Sequence, residues 1–333
     1  MKKLVLNEIY KILMGRKILF ILLLIIIFVG LFVYGESYMY ERSLERFDAI
    51  SSEKDYSWET LAKQQLKNLE DRLESPYISE ERKKSTKIKI SQLEYYIEND
   101  LNPITPSGAK FTEEFINRSM LLFMPLLIII LAANLVSSEF SQGTIRMLLT
   151  RPVPRWKVLL SKYLALLIMS TFVIAMIGFL SLTISGLFFS RWGFFQPVAT
   201  GFQLVNGSLN TQGVVLVNRL ESIILSYSLA WYVAVVIATI TFMVSTIFRS
   251  ISTVIGILMA ALIGGQFLQF FLAEWEIIKY FFVSNLNLQN YLSGSFQAIE
   301  GMNLVFSMQV LFVWAIVSLM ISFIVFINRD VLA

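Results

Sequence analysis

Residues 137–157 read Ser137-Ser138-Glu139-Phe140-Ser141-Gln142-Gly143-Thr144-Ile145-Arg146-Met147-Leu148-Leu149-Thr150-Arg151-Pro152-Val153-Pro154-Arg155-Trp156-Lys157. Long apolar runs stand on both sides, at 119–136 and 158–189. A run of that length is what a helix needs to cross a bilayer. The alternation therefore reads as membrane spans joined by a polar, basic island that the surrounding water can reach.

The composition agrees with that reading. Hydrophobic residues make up 56% of the 333 and charged residues 16%, and the mean hydropathy is +0.65, beyond what a soluble domain carries. Twenty-seven Phe and six Trp suit helices that face lipid. There is no Cys and no His. That removes disulfides, thiolate nucleophiles, Cys/His metal sites and imidazole acid–base chemistry. The net charge of +4 is small, and where the charges lie matters more.

Residues 1–17 form a basic amphipathic lead-in. Lys3, Asn7 and Lys11 share one helical face while Leu6, Ile9 and Leu13 share another. It is either an interfacial helix lying among the headgroups or a basic flank anchoring the first span. That span is 18–34. It is longer than a signal-peptide core and no small-residue cleavage pattern follows, so it reads as retained. Residues 35–118 are densely charged. Trp58, Leu61, Leu66, Leu69 and Leu73 suggest one amphipathic helix, and Ile90, Leu93, Ile97 and Leu101 a second, forming a helical hairpin that stands off the membrane. The hairpin is a receptor for a substrate or partner, or else a spacer or dimer contact. Further spans follow at 223–248, 254–272 and 305–327. Residues 190–222 read as an irregular loop, 273–304 as a mixed segment and 328–333 as a tail. The expectation is an all-α polytopic protein of six transmembrane helices.

Short loops set orientation, because positive charge stays on the cytosolic side. With the N-terminus inside, Lys2, Lys3, Lys11, Arg16, Lys17, Arg146, Arg151, Arg155, Lys157, Lys162, Arg249 and Arg329 are all cytosolic. The short outer loops then carry only Arg191, Arg219 and Lys279. Both termini and the island are expected inside, and the hairpin outside.

Catalytic motifs are missing. There is no Walker-type phosphate loop, no His for a zinc motif, and no acid within the apolar spans for a proton relay. The expectation is a chain that is not an enzyme and binds no cofactor or metal. Within the fifth span, Gly256, Ala260 and Gly264 recur every fourth residue, a stripe that lets helices approach closely. Gln266 and Gln269 put two amides near the outer end of that span. Amides in hydrocarbon need partners, so they line a translocation path or bond to neighbouring helices.

The island itself supports two readings on its physics. Ser141 can cap a short helix that Pro152 and Pro154 end. With Arg146 exposed and Ile145, Leu148 and Leu149 apolar, such a helix suits a groove on another protein. The other reading is a basic turn. Here the sequence resembles a known family. An acidic residue (Glu139), then Gly143-Thr144-Ile145-Arg146, Leu148-Leu149, Arg151-Pro152, Arg155 and Lys162 follow the order and spacing of the loop after the second span in type-2 ABC exporter permeases. The lead-in, six spans, N-in topology and lack of a nucleotide site are similar to that family as well. The hairpin is not part of its minimal plan.

The resemblance implies a permease subunit in the plasma membrane of a bacterium. It would pair with a second permease copy or a paralogue and with two cytosolic ABC ATPase subunits, which would hold the ATP and Mg. Gly143, Thr144, Ile145, Arg146, Leu148 and Leu149 would form the coupling helix, framed by Glu139, Arg151, Pro152 and Arg155. Residues 273–304 are similar to the re-entrant outer helices of such permeases. No nucleic-acid partner is expected. The competing class is a membrane sensor or immunity protein that binds a peptide through its external domain. Nothing in these residues selects among peptide antibiotics, lipids, glycans and ions as cargo.

Overall fold

The computed structural model describes residues 1–50, 57–74, 80–141, 153–205, 208–211, 213–272, 275–294 and 301–328. Helix α1 (Lys2–Met14) is separated from α2 (Arg16–Ile50) by the extended Gly15. Two packed helices follow, α3 (Trp58–Leu73) and α4 (Glu80–Glu98). Then come α5 (Gly108–Ser119), α6 (Phe123–Ser141) and α7 (Arg155–Phe189). Helices α8 (Arg219–Ile247) and α9 (Ile251–Phe271) precede the 3-10 turns Glu276–Tyr280 and Phe282–Asn285, the short α10 (Asn290–Ser293), and finally α11 (Leu304–Asn328).

The chain is a mostly helical, multi-pass membrane protein. Five helices are long and apolar enough to cross a bilayer, and α5 with α6 makes a sixth candidate, bent by 64°. Pro125 accounts for the bend. It sits in the first turn of α6, where a missing N–H costs nothing, but it could not continue a helix arriving from α5. It also leaves the Leu121 carbonyl, four residues back, without its helical donor. The Gln266 side chain on α9 supplies that donor at 3.1 Å.

Helix α2 runs on as helix well past Tyr34, where its apolar run ends, because backbone bonds do not break when side chains turn polar. Residues 190–222 depart from the irregular loop that the sequence suggests. They hold two short antiparallel ladders, β1 (Pro197–Thr200) with β4 (Val215–Asn218) and β2 (Gln203–Val205) with β3 (Ser208–Asn210). In the first ladder Val198 faces Val217 and Thr200 faces Val215, the β-branched pairing that strands favour. The fold is therefore not helix throughout.

Helix α8 is the hub. Its apolar window is 56% buried, against 22% for α9. Lipid gives helices no hydrophobic reason to associate, so close packing and interhelical hydrogen bonds must do it. Ser245 of α8 donates to the Ala133 carbonyl of α6 at 3.0 Å and accepts from the Ser137 amide at 3.1 Å. Tyr232 donates to the Met308 carbonyl of α11 at 2.7 Å. The Gly108 and Gly186 backbones touch, since a Cβ on Gly108 would lie 2.7 Å from the Gly186 Cα. The α3–α4 layer is held to the strands and turns: Gln92 donates to the Ser293 carbonyl at 2.7 Å, and Tyr95 and Tyr96 pack on a small core of Leu101, Ala199 and Phe202. The bundle thus has two unlike ends, an α1 end and a β end.

Candidate functional site

At the α1 end, three elements bring ionised side chains into the apolar interior. Lys162 stands two turns into α7 and is 1% exposed. Its ammonium donates to Glu139 Oε1 in the last turn of α6 at 2.6 Å and to Glu8 Oε2 on α1 at 2.9 Å. Lys11, one turn beyond Glu8, reaches both carboxylates at 3.4 Å. Two acids and two bases make a neutral quartet, which a buried site requires. Burial works to lower the Lys11 pKa, but Glu8 and Glu139 together outweigh it and hold the ammonium above its ordinary value. What the quartet does mechanically is plain. It binds the amphipathic lead-in to α6 and α7, at the two points where the chain enters and leaves the island.

The β end carries a second buried ion pair. Arg219, the first residue of α8, donates to Glu113 Oε2 of α5 at 3.1 Å, and Ser222 donates to the other carboxylate oxygen. One helical turn on, Ser226 accepts from the Gln289 amide at 2.7 Å, which ties the segment before α10 to α8. Tyr96 of α4 lies nearby. Burial pushes its phenol up to about 12, only partly opposed by the Arg219 charge.

Of the residues singled out from the sequence, Glu139 belongs to the quartet. Arg155 opens α7 and donates to the Ile327 carbonyl at the end of α11, 3.2 Å away. Gly143, Thr144, Ile145, Arg146, Leu148, Leu149, Arg151 and Pro152 lie outside the described residues. On α9, a Cβ added to Gly256 or Gly264 would meet nothing within 4 Å, and Ala260 is exposed. The small-residue stripe therefore packs against no helix of this chain among the described residues. Gln266 replaces the amide lost at Pro125, and Gln269 is half-buried three residues on.

Sequence reading did not single out Glu8 or Glu113; it took Arg219 as an outer-loop charge, and Lys162 as a cytosolic charge and a member of the permease-like pattern. A signal was present for two of them. Glu8 is the sole acid in residues 1–35, and Lys162 the sole charge in residues 158–189. Isolated charges in apolar surroundings must find one another.

Three comparisons bear on the chain. The family described as "Protein of unknown function (DUF2705)" matches residues 83–332. The Bacillus subtilis (strain 168) protein named "Uncharacterized protein YhcI" is 32% identical over 206 residues, covering 61% of this chain and 63% of that protein. "Uncharacterized membrane protein YdbK" of the same organism is 28% identical over 217 residues, covering 64% of this chain and 80% of its own. The matched stretch thus spans less than two thirds of YhcI.

Proposed function

The chain belongs to the DUF2705 family, and from there we propose that it is the permease subunit of an ATP-binding-cassette exporter, driven by separate ATPase subunits. The observation that carries this reading is the quartet. A loop that merely connected two spans would need no buried ion pair at its root. Here Lys162 joins the two helices that bracket the island and fastens the lead-in helix to both.

On this reading the α1 end faces the cytosol and the bent α5–α6 pair counts as one of six spans. The hairpin of α3 and α4 and the short ladders stand outside. Residues 143–149 sit on the ATPase as the coupling helix. Closure of the two ATPases displaces that helix, and its rigid root passes the displacement to α6, α7 and α1 together. The ATPase states differ in how they hold the helix, and that difference does the driving. The permease pairs with a second copy or a paralogue and itself hydrolyses nothing.

The test is purification from native membranes in mild detergent, followed by assay of associated ATPase activity. Arg146→Glu should assemble in the membrane yet lose transport-coupled stimulation. Absence of any accompanying ATPase, or unchanged stimulation in Arg146→Glu, would overturn the reading. A chain that binds peptide without an ATPase would point to a sensor or immunity protein.

A further inference from the structure

A cleft of about 440 Å³ at the β end belongs to neither ion-pair site. Ser37 and Tyr40 of α2 form one wall, Phe189, Ser190 and Arg191 at the end of α7 another, and Thr105 closes it from the linker before α5. Its depth in the membrane follows from the chain. The apolar run of α2 ends at Tyr34, one to two turns before Ser37 and Tyr40, and that of α7 ends at Phe189. Both walls leave the hydrocarbon at this level. Exposed Tyr34, Tyr38, Phe188 and Trp192 surround it, the ring belt expected where lipid meets water. The cleft opens among headgroups.

Its charge is divided. Arg191 is exposed, lines the cleft, and makes no side-chain hydrogen bond or ion pair with the described residues. Its backbone is pinned, because the Arg191 and Trp192 carbonyls accept from the Gly108 and Ala109 amides at 2.8 Å each. Ser190 adopts a left-handed φ of 51° to make this turn, a strained choice for a residue with a side chain. The α2 wall has the opposite character. Ser37 donates to the Glu41 carboxylate at 3.3 Å, and Glu41 follows Tyr40 directly in the chain.

We propose that this cleft binds a phosphoethanolamine group, the headgroup of a zwitterionic membrane lipid. The phosphate lies on the Arg191 guanidinium with the Ser190 and Thr105 hydroxyls. The primary ammonium lies against Glu41 and the Tyr40 oxygen on the α2 wall. The acyl chains then run down the outside of the bundle past exposed Leu31 and Leu187. An anionic headgroup without an amine would leave Glu41 facing a phosphate. A choline headgroup carries no N–H to donate. The inference needs only the membrane placement and is independent of the transport reading.

The experiment is native mass spectrometry of the whole chain with phosphatidylethanolamine, phosphatidylglycerol and phosphatidylcholine of identical acyl chains. Phosphatidylethanolamine should be retained roughly tenfold over the others, the worth of one charge-assisted hydrogen bond. Arg191→Gln should abolish retention. Glu41→Gln should keep binding but erase the preference for ethanolamine over choline. Both residues are exposed, so unchanged thermal unfolding of the variants checks the fold. Soluble phosphoethanolamine that displaces the lipid means the cleft takes the free group as well. No displacement means the acyl chains are required, and either result leaves the headgroup chemistry in place. Equal retention of the three lipids, or a preference surviving in both variants, overturns the proposal.

Discussion

The Lys162 ammonium meets the Glu139 carboxylate at 2.6 Å across the two strands of chain that enter and leave the island. It closes the root of that loop with a charge-assisted bond inside an apolar interior, and Glu8 completes it from a third helix at 2.9 Å.

Breaking one member of such a group strands its partners. Lys162→Met should leave two facing carboxylates with only the half-exposed Lys11 to balance them and destabilise the fold by about 3–5 kcal/mol. Replacing the three together, as Glu8→Gln, Glu139→Gln and Lys162→Met, should recover most of that loss. Thermal unfolding in detergent measures both. A single variant as stable as the parent would mean the quartet contributes nothing.

The β-end pair should behave as a coupled unit. In a cycle of Glu113→Ala, Arg219→Ala and the double variant, the coupling should be roughly 0.5–3 kcal/mol, the range for residues in direct contact. Additive losses would contradict the 3.1 Å contact.

Glycines on two helices should respond oppositely to a methyl group. Gly108→Ala drives a Cβ into the Gly186 backbone and should cost about 1–3 kcal/mol by overpacking. Gly256→Ala and Gly264→Ala meet open space and should stay within about 0.5 kcal/mol in the isolated chain. Gly256→Leu or Gly264→Leu should matter only where a second subunit packs on α9, which crosslinking of the pair reads out.

Tyr96 sets an alkaline limit. Its folded pKa of about 12 exceeds the ordinary phenol value of 10.0. The folded form therefore holds its proton longer than the unfolded one. Its contribution is complete below pH 10 and is lost as pH rises through 12. Tyr96→Phe should remove that part of the alkaline destabilisation, and phenolate absorbance should show one late-titrating tyrosine fewer in the variant than in the parent.

The spans were legible because each is a long apolar run, and lipid leaves the backbone few alternatives to helix. The bend at residues 120–122 was not, although Pro125 was in plain view. Whether proline kinks or restarts a helix depends on who satisfies the freed carbonyl, and that donor, Gln266, lies 145 residues away. Gln266 was flagged as an amide in need of a partner, which was the right question without its answer. The strands in 197–218 are three or four residues long, too short for a period of two to rise above the noise. Glu139 emerged through the family resemblance, while Glu8 passed as one acid in a basic lead-in. Arg219 passed as a loop charge, because nothing local connects it to Glu113, 106 residues earlier.

Helix α1 leaves the ribosome before α7, and its buried carboxylate waits for a lysine made 154 residues later. Until α7 enters the bilayer, Glu8 and Glu139 have only the half-exposed Lys11 to balance them. Helix α1 must stay at the surface until α7 is made, and its docking reports that α7 has arrived. The ion pair is thus an assembly checkpoint: a chain truncated before α7 should keep its first helix loose and open to protease.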